Sequence, residues 1–225
     1  MAAYMMRVIA KTFLRSEWAV LRSQIIRRQR ILTDGSNPVA PLVVGRLLVS
    51  GEDHRHGRHC GFDLYAICRA IWRRVASGRR EGASTIEQQI VRVLTNRFEP
   101  TIGRKVREIL LAALLSEAVS KRDMPILYLS VGYFGWRMNG FTQACRRLGI
   151  HPDTISLDEA AGLVARLKYP EPRVSPPSRL AQIKRRREHL KRLYERHLAD
   201  GTYNYLGGHD VNETLASGSP ITNAV

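Results

Sequence analysis

Cysteine is scarce in this chain, and its scarcity excludes two classes of small protein. The 225 residues contain three cysteines, Cys60, Cys68 and Cys145. The number is odd and no C-x-x-C pair occurs, which argues against both a disulfide framework and a zinc ribbon. The sequence therefore predicts three reduced thiols that lie partly in the core.

Long apolar runs and strand-like alternation are also missing. No stretch of about 18 uncharged apolar residues occurs, so no transmembrane helix is predicted. Near the N-terminus, Arg7, Lys11, Arg15 and Glu17 interrupt the apolar residues, and no clean signal peptide is predicted there. Because period-two alternation is rare and no repeat is visible, the pattern favours a mainly α fold.

Acidic residues are few compared with basic ones. Thirty-six Lys and Arg face 20 Asp and Glu, which gives a net charge of +16. Such a surplus favours polyanionic partners such as nucleic acid, an anionic membrane face or a pyrophosphate substrate. Nucleic acid is not expected, because aromatic residues make up only 7% and no nucleic-acid motif is recognisable. We therefore expect an anionic membrane surface as a partner.

The chain divides into three predicted segments. Residues 1–37 form a basic amphipathic segment, whose helix at residues 5–31 either lies on a membrane surface or packs on the core. Residues 38–199 form the main domain. Residues 200–225 are rich in Gly, Ser, Thr and Asn, which predicts a mobile tail.

Helix starts in the main domain are marked by capping residues. Asp63 precedes an apolar stripe and is a predicted N-cap. The spacings Ser84-x-x-Glu87 and Ser156-x-x-Glu159 both have the form of a capping box.

Glu52 and Glu108 are the candidate catalytic carboxylates. Glycosyl transfer needs a base that takes a proton from the attacking sugar hydroxyl, and cationic help for the leaving group. Glu108 follows Arg104 and Lys105 at helical spacing, so the three side chains can share a helix face. A surface salt-bridge cluster is the alternative interpretation of that trio.

Hydroxyl and amide side chains are concentrated at the start of a predicted helix. Exposed N–H groups at such a position suit phosphate or sugar oxygens, although simple capping is the alternative. The side chains concerned are Ser84, Thr85, Gln88 and Gln89. Arg79 and Arg80, just upstream, could reach a diphosphate.

A metal site is a competing interpretation of the histidine-rich run. The candidate ligands are His54, His56, His59, Cys60 and Asp63. Their spacing matches no common zinc signature, so this interpretation is less favoured.

Three motifs follow one another in the order and spacing of one known family. The first pattern, E-D-x-x-F-x-x-H-x-G-x-D, is matched by Glu52, Asp53, His59, Gly61 and Asp63. The second, G-x-S-T-I-T-Q-Q and a later basic residue, is matched by Gly82, Ser84, Thr85, Ile86, Gln88, Gln89 and Arg92. The third, R-K-x-x-E, is matched by Arg104, Lys105 and Glu108.

Two looser motifs complete the series. The pattern Y-L-N-x-x-Y-F-G is matched by Tyr128, Leu129, Tyr133, Phe134 and Gly135. The pattern L-x-x-x-E-A-A-x-L before a Pro-rich turn is matched by Glu159, Ala160, Ala161, Leu163 and Pro170. Together the five motifs resemble glycosyltransferase family 51, the peptidoglycan glycosyltransferase domain of penicillin-binding proteins and monofunctional transglycosylases.

The resemblance implies a fold and an activity. The fold would be a mainly α, lysozyme-like glycosyltransferase domain with a membrane-associated jaw. The substrate would be lipid II, polymerised into β-1,4 glycan with inversion and release of undecaprenyl pyrophosphate. The protein would lie peripherally at the bacterial inner membrane, on its periplasmic or outer face, with a cytoplasmic location as the alternative. A transpeptidase would be a further partner beside lipid II and the nascent glycan strand.

The resemblance also implies roles for individual residues. Glu52 would be the base on the acceptor 4-hydroxyl, and Glu108 would help to hold the donor pyrophosphate and its Mg²⁺ or Mn²⁺. The substrate-binding residues would be Asp53, His59, Ser84, Thr85, Gln88, Gln89, Arg92, Arg104 and Lys105.

Four positions depart from the family pattern. His56 replaces a Phe, Glu87 a Thr and Ser130 an Asn, while Ile126 stands where an acid is usual. These departures leave open a non-catalytic relative that binds lipid-linked precursor and regulates cell-wall synthesis. A lysozyme-like hydrolase would also need carboxylates, but it would not explain the Q-Q and R-K-x-x-E motifs.

Overall fold

The fold is mainly α-helical, as the sequence predicts. A computed structural model describes residues 2–35, 38–78 and 82–207. These residues form ten α-helices: α1 (Ala2–Phe13), α2 (Arg15–Thr33), α3 (Leu42–Glu52), α4 (Leu64–Ser77), α5 (Ile86–Thr95), α6 (Ile102–Ala118), α7 (Met124–Val131), α8 (Phe141–Leu148), α9 (Leu157–Lys168) and α10 (Pro177–Ala199). One antiparallel pair of short strands, β1 (Tyr133–Gly135) and β2 (Met138–Asn139), separates α7 from α8.

The predicted N-terminal helix is divided into α1 and α2 at Leu14. The apolar positions Leu14, Leu21 and Ile25 are buried, and the two helices pack against α5, α6 and α7. This face therefore belongs to the core. Other apolar residues of α1 are exposed, including Tyr4 and Phe13.

Helix α3 is the central element of the core. Val44, Leu47, Leu48 and Val49 are fully buried, and the helix packs against α7, α9 and α10. Because α3 is apolar on almost every side, it packs against its neighbours around its whole circumference rather than along a single apolar stripe. It ends at Glu52, so the core itself fixes the position of that carboxylate.

Side-chain caps set the starts of the helices around the site. Asp63 caps α4 by accepting from the Ala66 N–H, as predicted. The box formed by Ser156 and Glu159 at the start of α9 is also confirmed. The predicted Ser84–Glu87 box is wrong, because Thr85 is the cap of α5 and accepts from the Gln88 N–H at 3.3 Å. Its position one residue later turns Glu87 into the protein interior.

Gly61 lets the first-motif loop lie directly on α6. Its φ is +98°, and a Cβ added there would lie 2.2 Å from the Ala112 carbonyl oxygen. Only glycine fits such a close backbone approach at positive φ. The loop that follows Glu52 is therefore fastened to the helix that carries Glu108.

The C-terminal segment begins packed on the body. Tyr203 and Leu206 are buried below α10, whereas residues 208–225 of the predicted tail lie outside the described residues. Across the described residues, the helices are each too short or too polar to cross a bilayer.

Candidate active site

The Glu52 carboxylate is held between two elements. Its Oε2 accepts from the Gln89 amide nitrogen at 3.3 Å, and its Oε1 accepts from Arg186 at 3.2 Å. Gln89 is oriented in turn because its own oxygen accepts from the Tyr128 hydroxyl at 2.7 Å. Burial, with the Glu52 charge second, raises the pKa of Tyr128, so the phenol stays a donor. The carboxylate is thus fixed in direction before any substrate arrives.

Arg186 is a site residue that the sequence did not reveal. It lies on α10, and the same guanidinium also donates to the Gly51 carbonyl at 2.6 Å. In the sequence it belongs to a basic run at residues 184–187, which is typical of a solvent-exposed surface patch. No motif or helical spacing connects it with Glu52, because the two residues are 134 positions apart.

Asp53 and His59 form hydrogen bonds that connect the elements next to Glu52. His59 Nε2 donates to the Asp53 carboxylate at 2.9 Å, and the same carboxylate accepts from the Ile86 N–H at 3.1 Å. Burial is the largest influence on the Asp53 pKa and raises it, but the contacts with His56 and His59 outweigh burial and leave the pKa low. An ionised Asp53 therefore ties the end of α3 to the start of α5.

Thr85 makes a second connection between the same two regions. Its buried hydroxyl donates to the Gly61 carbonyl at 2.7 Å while capping α5. Because both contacts occupy the hydroxyl, Thr85 supports the backbone around the site, whereas the sequence predicts that it binds substrate.

Glu108 lies at the centre of a cationic cluster. Arg92 reaches both of its oxygens, at 3.1 and 2.9 Å, and Lys105 reaches Oε1 at 3.0 Å. Arg104 donates to Oε2 from one turn earlier on α6. Burial tends to raise the Glu108 pKa, but these hydrogen bonds and charges lower it. Three cations around one carboxylate leave a surplus positive charge, which suits an anionic ligand.

The donor and acceptor side chains of the second motif complete this cluster. Lys105 donates to Ser84 at 3.0 Å and to Gln88 at 2.6 Å. Arg92 also lies 3.4 Å from the Ser84 hydroxyl. Burial lowers the Lys105 pKa, although Glu108 opposes the effect. The structure therefore brings Ser84, Gln88, Arg92 and Lys105 together beside Glu108, whereas Arg79 and Arg80 lie outside the described residues.

Helix α5 lies between the two carboxylates. Two successive residues face different partners: Gln88 contacts Lys105 beside Glu108, and Gln89 contacts Glu52. One ten-residue helix thus connects the two candidate catalytic groups, which arise from sequence positions 56 residues apart.

Comparison with known proteins identifies the family. A family model described as transglycosylase matches residues 20–194. The chain belongs to the transglycosylase family. The match confirms the resemblance to glycosyltransferase family 51 and covers every motif described above.

Relatives of this transglycosylase domain are penicillin-binding proteins. The chain is 30% identical to penicillin-binding protein 1A of Rickettsia typhi over 181 residues, covering 77% of this chain and 22% of the relative. It is 31% identical to the Rickettsia bellii protein of the same name, covering 81% of this chain and 22% of the relative. The Neisseria gonorrhoeae protein is 35% identical over 132 residues, covering 58% and 16%. The chain thus spans about a fifth of the length of the curated relatives it matches.

The transglycosylase cluster around Glu108 does not offer a free metal ligand. Both Glu108 oxygens accept from Arg92, Arg104 or Lys105. Divalent cations such as Mg²⁺ need several oxygen ligands, and a carboxylate surrounded by three cations is a poor one. The Mg²⁺ or Mn²⁺ expected from the family stays a prediction, which this arrangement of Glu108 does not support.

The metal ligands suggested by the histidine-rich run are not brought together as a set. His54 is exposed and stacks on His197, while Asp63 caps α4 and pairs with Arg55 at 2.7 Å. A different group converges instead: Asp53, His56, His59 and Glu87. Two of its members, His56 and Glu87, are departures from the transglycosylase pattern.

The other two departures line a separate cavity. Ile126 and Ser130 border a space of about 290 Å³ together with Arg28 and Arg146. The lining includes neither Glu52 nor Glu108. These two substitutions therefore leave the contacts of both carboxylates in place.

Proposed function

We propose that this chain is a peptidoglycan glycosyltransferase that polymerises lipid II into β-1,4 glycan chains and releases undecaprenyl pyrophosphate. The observation that carries the proposal is the joint placement of Glu52 and the Glu108 cluster on the two sides of α5. Membership of the transglycosylase family and the relatives named penicillin-binding protein 1A support it.

On the acceptor side, Glu52 takes the proton from the sugar 4-hydroxyl. The hydroxyl oxygen then attacks the anomeric carbon of the donor from the face opposite the pyrophosphate, and the anomeric configuration inverts. Gln89 and Arg186 keep the carboxylate in one orientation, so little reorganisation is needed when the proton is transferred.

On the donor side, the cations around Glu108 hold the departing pyrophosphate. The bond between the anomeric carbon and the phosphate oxygen breaks, and its electron pair leaves with undecaprenyl pyrophosphate. Arg92 and Arg104 can bind phosphate oxygens in a bidentate way, and Lys105 adds a third charge. Glu108 keeps these like charges close together, and Ser84 and Gln88 complete the donor site.

Helix α4 is proposed as the membrane-associated jaw. None of its residues is buried, and its apolar side chains face solvent: Leu64, Tyr65, Ile71, Trp72 and Val75. An exposed apolar helix face with Arg73 and Arg74 beside it suits an anionic membrane surface. The domain would then bind peripherally at the inner membrane, on the side where lipid II is polymerised, with a transpeptidase as its partner.

The test is polymerisation of labelled lipid II by the full chain in detergent, with and without Mg²⁺ or Mn²⁺. Wild-type protein should form long glycan, and Glu52→Gln should lose about 10²-fold or more of the rate because the base is absent. Asp153→Asn, an exposed carboxylate change between α8 and α9, is the matched control and should keep full activity. Absence of polymer from wild-type protein under all conditions would contradict the proposal.

A non-catalytic relative that binds lipid-linked precursor is the second candidate. Arg186 favours it, since its guanidinium occupies the Glu52 oxygen at 3.2 Å and competes with an acceptor hydroxyl. In that case wild-type protein binds lipid II without forming polymer, and Glu52→Gln binds equally well.

A further inference from the structure

Two departures from the family pattern contact each other in the interior. His56 Nδ1 lies 3.6 Å from Glu87 Oε1, and both side chains are fully buried. They come from different elements, the loop after α3 and the first turn of α5. A Phe and a Thr at these positions would offer no charge, so the two substitutions together create a polar centre that the pattern lacks.

The orientation of the His56 ring directs its Nδ1 atom at two carboxylates. His56 Nε2 lies 3.2 Å from the Lys121 carbonyl oxygen, which can only accept, so Nε2 carries a proton. Nδ1 is then the ring nitrogen that is available to a ligand. It faces Asp53 Oδ2 and Glu87 Oε1, each at 3.6 Å. This Nδ1 atom has no hydrogen-bond partner within the described part of the chain.

This arrangement is typical of a metal-binding histidine. Metal ligands of this type usually donate their second ring N–H to a backbone carbonyl or carboxylate, which fixes the other nitrogen on the metal. Glu87 Oε2 is likewise buried and without a hydrogen-bond partner among the described residues. Two buried polar atoms of adjacent side chains thus have no hydrogen-bond partner in the part of the chain that the structure describes, and a bound cation would give both of them one.

Distances and burial agree with a small transition-metal site. The possible ligand atoms of Asp53, His56, His59 and Glu87 all lie within 4.8 Å of one another. Tetrahedral ligands at bonds of about 2.0–2.1 Å are separated by about 3.3 Å, close to the two observed spacings. Mixed imidazole and carboxylate ligands suit Zn²⁺ and its neighbours better than Mg²⁺ or Ca²⁺.

His59 is a supporting residue of this cluster rather than a ligand. Its Nδ1 accepts from the Gly61 N–H at 3.3 Å, so Nε2 carries the proton that it donates to Asp53. This contact orients the carboxylate in the way that outer hydrogen bonds orient metal ligands.

Lys121 competes for the same carboxylate. Its ammonium contacts Glu87 and lies 3.4 Å from His59 Nδ1. The side chain is 24% exposed, so it has a path to solvent. A divalent cation would balance the charges of Asp53 and Glu87 without it.

We propose that Asp53, His56 and Glu87 form a binding site for a divalent transition metal, with Zn²⁺ as the reference ion. The site shares no side chain with the cluster around Glu108 and does not depend on the proposed glycosyltransferase activity. A metal bound there would link the end of α3 to the start of α5, next to Glu52.

The test measures Zn²⁺ binding by the full chain after removal of metals with a chelator. Calorimetry and elemental analysis after desalting should give one equivalent for wild-type protein, with a raised Tm. His56→Phe and Glu87→Thr, which restore the family pattern and so should fold, should each weaken binding by at least about tenfold. Lys121→Met should strengthen binding because it removes a competing cation.

Two controls separate this site from others. His54→Gln changes an exposed histidine of the same run and should bind Zn²⁺ as wild type does. Glu108→Gln, in the donor cluster, should also keep the equivalent. Less than a tenth of an equivalent on wild-type protein would overturn the proposal, as would unchanged binding by His56→Phe with an unaltered circular dichroism spectrum.

Discussion

At the residue scale, Glu108 shows how one carboxylate organises like charges. Arg92, Arg104 and Lys105 would repel one another without it, because they approach the same small volume from two helices. The carboxyl side chain is only 2% exposed, so water screens these charges weakly. The same residue thus stabilises the apo protein and shapes the proposed anion site.

Glu108→Gln should therefore lower stability in a pH-dependent manner. The folded-state pKa of Glu108 lies below its ordinary value of 4.5, so its contribution is present above about pH 4.5 and is lost as pH falls through the lowered pKa. At pH 7 we expect a loss of about 1–3 kcal/mol in the free energy of unfolding. Urea unfolding at pH 7, 5 and 3.5 measures it.

The difference between wild type and variant should shrink at the acid end, because the contribution of Glu108 is lost as the pH falls through its lowered pKa. A constant difference across this range would show that the carboxylate charge does not stabilise the cluster. Glu159→Gln is unsuitable as the control because it breaks a capping box. The exposed Glu195→Gln on α10 is the control, since it leaves both the site and the helix caps intact.

At the scale of elements, the loop between α3 and α4 is fixed by contact with α6. Gly61 supplies the close approach, and Thr85 adds a hydrogen bond from the start of α5 to the same glycine. Three elements are therefore joined at one backbone position, which explains how sequence-distant motifs keep a common geometry.

Gly61→Ala and Gly149→Ala form a matched pair that tests this contact. Both glycines have positive φ, +98° and +66°, but an added Cβ meets Ala112 backbone only at Gly61 and open space at Gly149. Gly149→Ala should cost about 1 kcal/mol from backbone strain alone. Gly61→Ala should cost about 3 kcal/mol or more, since α6 must also move.

Thermal and urea unfolding of both variants measure the difference. Equal losses would mean that the first-motif loop is not fastened to α6 by this approach. Activity should fall further in Gly61→Ala than in Gly149→Ala, because the Gly61 contact joins the loop that follows Glu52 to the helix that carries Glu108.

At the scale of the whole molecule, charge and exposed apolar surface indicate the same partner. The net charge of +16 suits the proposed anionic membrane surface, and α4 offers an apolar face that the core does not use. Electrostatic attraction weakens with salt, whereas apolar insertion does not weaken in this way.

Co-sedimentation with vesicles should separate the two contributions. Trp72→Ser should reduce binding to anionic vesicles by about tenfold or more without lowering Tm, because this side chain is 67% exposed. Val174→Ser, at 82% exposed and outside α4, should leave binding unchanged. Raising salt should weaken both wild type and variant, and equal binding by Trp72→Ser and wild type would exclude α4 as the insertion face.

Sequence reasoning was most successful where contacts are local. The spacing of Arg104, Lys105 and Glu108 predicts a shared helix face, and the structure places them on one. Arg186 could not be found in this way, because α10 reaches Glu52 only through packing between distant helices. The Ser84–Glu87 spacing does not predict the buried ion pair with Lys121, because Thr85 caps α5 and Glu87 is the second helical residue rather than the third.

The helical geometry of α5 restricts where residues can be inserted or deleted near the site. Each residue in a helix turns the next by about 100°, so Gln88 and Gln89 face different flanks. An inserted residue before Gln88 would rotate both amides and Arg92 away from their present neighbours at once. A change of length in the connection between α5 and α6 at residues 96–101 would instead leave those directions intact. Natural variation in length is therefore expected to concentrate in that connection and to avoid the first turn of α5.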